Sequence, residues 1–233
     1  MLGRVSSMEP DQDIRELICA LCRQFYQLGW VSGTGGGISI RQGTSLYMAP
    51  SGVQKERIRP EDVFELDATV LDRCAVVRGP ADLRVSECQP LFYNAFRDRD
   101  AGAVIHSHSL WAVLATRLAV QSGRAGEGDV IAQFVARGLE MQKGLRGKGC
   151  FDEVSIPIIA NTPREAQLTE SMAFAMRAHE DVDAVLVEGH GVYVWGRSWV
   201  EAKTQAECLD YLFRAAAEAH RLGLPLHDSR GDL

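Results

Sequence analysis

The chain has 233 residues, 46% of them hydrophobic, with 25 Lys and Arg against 31 Asp and Glu for a formal net charge of −6. One domain of that size can bury a working core without a disulfide or metal staple. The absence of a dense basic block excludes nucleic-acid binding by bulk electrostatics, and no apolar run approaches the roughly 18–20 residues of a membrane span.

In chain order, Ile14, Leu17, Ile18, Leu21, Cys22 and Phe25 recur at steps of three and four, predicting an amphipathic helix over 13–28 with Asp11 or Asp13 as cap and Gly29 as stop. The segment GWVSGTGGGISI leads from a glycine cluster into a strand at 38–40, and a turn at 41–44 joins it to a strand at 46–49. The loop 50–60 opens with the turn signal PSG, and 64–67 reads as a strand. Residues 68–84 carry no clear pattern. A helix is predicted at 90–97, with Pro90 at its start where the missing N–H costs little.

A strand over 101–108 and a helix over 110–118 follow, then a glycine loop at 123–128. Segment 130–145 reads as helix, or as strand plus helix. A buried strand is expected at 154–159. Thr162-Pro-Arg-Glu looks like a capping signature opening a helix over 162–179. Strands at 183–187 and 192–195 flank a turn at 188–191, and a long helix covers 198–222. Short turns between several strands imply antiparallel pairs, so a mixed sheet with helices on both faces is expected. No internal repeat or composition break divides the chain. The expectation is a flexible segment at 1–12, one domain at 13–224 and a tail at 225–233.

AVIHSHS places His106 and His108 two apart on a strand, so both imidazoles leave the same face. Taken alone, the pair reads equally as a metal site or as two histidines bonded to backbone. LVEGHGVYVWG adds His190 in a glycine-bracketed turn, and three histidines with an open position are the pattern of catalytic zinc. His179, His220 and His227 lack such a setting and read as surface residues. GTGGGIS offers consecutive unobstructed backbone N–H groups, a candidate anion nest, to which APSG adds a hydroxyl and further N–H groups and Lys55 a counter-charge. It has neither the P-loop nor the dinucleotide-binding spacing. Cys19 and Cys22 form a CxxC inside the first helix, where core packing is favoured. Cys88 stands before a helix start, where a thiol can face a polar pocket. Six cysteines are too sparse for a disulfide framework and MLGRVSSMEPDQD has no signal core, so reduced thiols and a cytoplasmic location are expected.

Four separated strings, GTGGGIS, APSGVQKERI with PEDVFELD, AGAVIHSHS and VEGHGVYVWG, together resemble the class II aldolase and epimerase superfamily, and most closely its dehydratase branch. The likeness runs from about Ile14 to Leu224. It implies an α/β/α sandwich with a mostly antiparallel central sheet, assembled as a homotetramer. It also implies one zinc per subunit on His106, His108 and His190, and a phosphate pocket from Gly36, Gly37, Ser51, Gly52 and Ser86. The aldolases have Asn where Gly37 stands, and a glutamate serving zinc and proton transfer where this chain has Cys88. The branch therefore implies that Glu140 in LEMQKG is the acid/base and that Cys88 contacts substrate. The implied reaction is zinc-dependent dehydration of 5-methylthioribulose 1-phosphate in methionine salvage, with no nucleic-acid or membrane partner. An aldolase or epimerase acting on another sugar phosphate, or an adaptor on the same fold, are the competing expectations.

Overall fold

The computed structural model describes residues 14–123 and 126–225. The expected Asp11 or Asp13 cap, the flexible segment 1–12, nearly all of the tail 225–233 and His227 lie outside the described residues.

Nine strands form one sheet in the order β4-β3-β2-β1-β5-β9-β8-β7-β6. They are β1 (Gly37–Gln42), β2 (Ser45–Met48), β3 (Phe64–Asp67), β4 (Val76–Arg78), β5 (Ala103–Ser107), β6 (Val130–Ala136), β7 (Val154–Ile159), β8 (Ala184–Val187) and β9 (Gly191–Gly196). Only β7 and β8 pair in parallel. The helices are α1 (Ile14–Gln27), α2 (Gln89–Asp98), α3 (Leu110–Gln121), α4 (Thr169–Ala178) and α5 (Trp199–Arg221).

Alternation along the central strands divides the core in two. Ile38, Ile105, Leu186 and Val194 pack with α1, α3 and α5 on one face. Val104, Val185, Tyr193 and Trp195 pack with α2 and α4 on the other. The period of two on each strand thus dictates a three-layer sandwich. No described helix is long and apolar enough to cross a membrane.

Three segments differ from the sequence expectation. The patternless 68–84 contains β4, whose residues are all exposed at the sheet edge, so no buried face imprints alternation there. Segment 130–145 follows the strand-first alternative, β6, but the helical part is only a 3-10 turn at Glu140–Gly144. The predicted helix over 162–179 begins only at Thr169, after a 3-10 turn at Glu165–Leu168. Thr162 bonds locally to the Arg164 carbonyl, and Glu165 is turned inward instead of capping.

Candidate metal centre and anion cradle

The centre lies where β5 runs between β1 and β9. His106 is in register with Gly37 on one side and Tyr193 on the other, so the three share one face. The His106 ring stacks on Tyr193, centroids 3.9 Å apart and planes 5° from parallel. His108 follows the strand end, where its N–H donates to the Trp30 carbonyl at 2.8 Å. His190 comes from the β8–β9 turn. Gly191 lets that turn close on β5, since a Cβ there would stand 2.0 Å from the Ser107 carbonyl oxygen.

The three Nε2 atoms converge, at 2.9 Å for His106–His108, 3.0 Å for His108–His190 and 3.3 Å for His106–His190. Outward, His106 Nδ1 faces the Val192 carbonyl at 3.1 Å and His190 Nδ1 faces Asn161 Oδ1 at 3.2 Å. A ring nitrogen opposite a carbonyl oxygen carries the proton, so the Nε2 atoms of His106 and His190 present lone pairs inward. Lone pairs this close repel unless a cation joins them. A tetrahedral zinc with bonds of about 2.05 Å holds its nitrogens about 3.3 Å apart, so the donor set fits the ion. Burial, reinforced by the neighbouring imidazoles, holds His106 well below the ordinary histidine value and lowers His108 to about 4. Burial also lowers His190, against the pull of Glu165. Burial thus favours the neutral form, the one that can bind a metal, at all three.

A fourth donor escaped the sequence reading. Glu165 Oε1 stands 3.8 Å from His106 Nε2 and 3.7 Å from His190 Nε2, and its other oxygen accepts from Tyr193 Oη at 3.0 Å. His106, His108, Glu165 and His190 are the described group with metal-ligating geometry. A lone glutamate in NTPREAQL carries no spacing signal relative to the histidines. Only the fold brings the β7–α4 connection beside the β5 end. Cys88, at the start of α2, is buried beside the same carboxylate. Burial first, then Glu165, pushes its thiol well above the usual value, so it stays protonated.

The glycine string packs against the histidine cluster. Gly35 leaves room for His108, because a Cβ there would meet Nδ1 at 2.3 Å. Gly36, at φ +67, would strike the His106 and Trp30 carbonyls. Part of the string is thus glycine for the packing of the metal ligands rather than for an anion. A Cβ at Gly37, at φ +154, would make ordinary contact with Lys55 Cε at 3.6 Å and Ala49 Cβ at 3.9 Å. Ser51 pairs with Arg84 in an isolated bridge, which draws the Ser51–Gly52 turn towards Ser86. Ser86 Oγ accepts from the Cys88 N–H at 3.2 Å. The five residues expected around phosphate therefore belong to the loop entering β1, the turn after β2 and the entry to α2.

Glu140 is placed differently. It heads the exposed 3-10 turn, its Oε1 2.8 Å from Lys143 Nζ, with 74% of the side chain exposed. It is not in the convergent group. The turn itself is firmly built, since Gln142 accepts from the Leu139 N–H at 3.1 Å and donates to the Asp152 carbonyl at 2.6 Å. His179 is half-buried at the end of α4 and His220 is exposed on α5.

Residues 16–217 match the family described as Class II Aldolase and Adducin N-terminal domain. A mouse methylthioribulose-1-phosphate dehydratase is 49% identical over 219 residues, 90% of this chain and 85% of that protein. The namesake from Coprinopsis cinerea is 48% identical over 215 residues, covering 90% and 87%. Among solved structures, an L-fuculose 1-phosphate aldolase superposes with a TM-score of 0.72 at 20% identity, covering 94% of this chain and 92% of that one. The Thermus thermophilus enzyme of the same name gives 0.65 at 22% identity, covering 89% and 94%. The sheet order, the three-histidine cluster and these matches agree: the chain belongs to the class II aldolase and adducin family, in its methylthioribulose-1-phosphate dehydratase branch.

Proposed function

We propose that the chain is a zinc-dependent hydro-lyase that converts 5-methylthioribulose 1-phosphate to 5-methylthio-2,3-dioxopentyl phosphate. The observation carrying this reading is the convergence of three neutral imidazole Nε2 atoms, with Glu165 facing them, in a chain 49% identical to a dehydratase of that name. When bound by His106, His108 and His190, zinc supplies Lewis-acid polarisation of the substrate ketone.

The remaining work falls to side chains and backbone. The N–H groups of Gly36, Gly37 and Gly52 and the hydroxyls of Ser51 and Ser86 hold the phosphate and fix the sugar's reach. Cys88, neutral and buried, lines the pocket beside the sugar without competing as a base. Glu140 removes the proton from carbon 3 and returns one to the hydroxyl leaving carbon 4. The resulting enol tautomerises to the 2,3-diketone, and the balance is loss of one water. Because Glu140 lies at the surface of the subunit, the homotetramer implied by the resemblance completes the site. Exposed apolar side chains on α3, Leu110, Leu114 and Val120, supply surface for such contacts. Aldol cleavage is disfavoured because Cys88 stands where the resembled aldolases carry a glutamate.

The Glu140→Gln variant tests the acid/base assignment. It should keep one zinc per subunit, since Glu140 touches no ligand, and lose turnover by at least about 100-fold. Turnover within a few-fold of the wild type would remove Glu140 from the mechanism.

A further inference from the structure

The five residues assigned to the phosphate are all neutral, yet the structure buries a cation beneath them. Lys55 is 2% exposed and opens a 3-10 turn at Lys55–Arg57. Its Nζ donates to the Thr34 carbonyl at 2.8 Å and the Val53 carbonyl at 3.3 Å. Thr34 belongs to the glycine loop, and Val53 follows the Ser51–Gly52 turn, so one ammonium ties together the two loops that form the cradle. Its stem runs under Gly37, where a Cβ would stand 3.6 Å from Lys55 Cε.

An ammonium has three donors, and two are taken here by uncharged carbonyls. Among the described residues, no carboxylate forms an ion pair with it. Glu165 and Glu56 act on it only from beyond ion-pair distance, and a buried charge bonded only to carbonyls is expensive, so an anion on its free proton would be favourable. Burial holds Lys55 below the ordinary lysine value, while Cys22, Cys88 and Glu165 act in the opposite sense. The other cation near the cradle, Arg84, is 77% exposed and lies 4.0 Å from Glu87, where solvent screens it.

We propose that Lys55 is the fixed positive charge of the phosphate subsite, reaching the phosphate of the sugar substrate through its third proton from below Gly37. The proposal rests on the phosphate reading of the cradle given above. It casts Lys55 as a binding group for the phosphate end of the substrate, separate from the proton chemistry.

The experiment compares wild type, Lys55→Met and Arg84→Gln, all zinc-loaded, by steady-state kinetics and by thermal melts with added inorganic phosphate. Lys55→Met should raise KM by about 10- to 100-fold, leave kcat within a few-fold, and lose the stabilisation that phosphate gives the wild type. Arg84→Gln should change KM by only a few-fold. Unchanged KM and phosphate stabilisation in Lys55→Met, or the large loss appearing in Arg84→Gln, would overturn the proposal. A wild type that turns over but is not stabilised by phosphate would sink the cradle reading itself, and the proposal with it. Should Lys55→Met fail to fold, 13C-lysine NMR of the wild type replaces it, with the Lys55 signal identified by its loss in Lys55→Arg. A phosphate-dependent shift of that signal supports the assignment, and a stationary Lys55 signal while phosphate binds refutes it.

Discussion

Replacing Gly35 by Ala should empty the metal site although Gly35 is not a ligand. The added Cβ would sit 2.3 Å from His108 Nδ1 and 2.4 Å from Cε1. An ordinary contact needs about 3.4 Å or more, so the half-buried imidazole must retreat by about an ångström. Gly35 has no positive φ, so alanine brings no backbone penalty and the effect is steric. His108 Nε2 moves with the ring, and a ligand displaced by that much no longer meets the ion at the required distance of about 2.0–2.1 Å. Outer contacts that orient a zinc histidine are worth 10- to 100-fold in affinity, so a loss of at least about 100-fold is expected here. Zinc per subunit by elemental analysis, and competition with a chromogenic chelator, give the number. Gly33→Ala is the control: Gly33 has φ +68 with open space around it, so the variant should lose about 1 kcal/mol of stability and keep its zinc. A folded Gly35→Ala protein with wild-type zinc affinity would refute the reasoning.

Two further outcomes follow from the same geometry. Glu165→Gln removes the negative charge facing the histidines and should weaken zinc binding by about 10- to 100-fold while the three imidazoles stay in place. Unaltered chelator competition would show that this carboxylate does not act on the metal. In the metal-free protein, burial depresses His106, His108 and His190 relative to the unfolded chain, His108 to about 4. The unfolded chain then binds more protons between pH 6.5 and about 4, so stability rises with pH across that window and falls on acidification. The slope is at most about 1.4 kcal/mol per pH unit for each histidine. Urea melts of chelator-treated protein that were flat, or more stable in acid, would contradict this.

The central strands were readable because their faces differ. Ile38, Ile105 and Val194 point to one helix layer and Val104, Tyr193 and Trp195 to the other, and that alternation is visible in sequence. The three histidines were legible because two share a strand face and the third is framed by glycines. Glu165 was not, since its role depends on β7 lying two strands from β9 and on a 3-10 turn delaying α4. From sequence the glycine string reads as an anion nest or a flexible hairpin entry. The space it leaves for His108 and for the His106 carbonyl is a tertiary fact that no local pattern encodes. Lys55 is legible as a counter-charge beside the nest, but its burial is not, because two loops folding over its stem set it.

The central claim, zinc-dependent dehydration at the His106–His108–His190 centre, is tested by incubating the zinc-loaded enzyme with 5-methylthioribulose 1-phosphate and following the products by mass spectrometry. The expected result is a phosphorylated product lighter than the substrate by one water, formed by the wild type and lost together with zinc in His106→Ala. Carbon–carbon cleavage fragments, or dehydration that persists after complete removal of the metal, would contradict it.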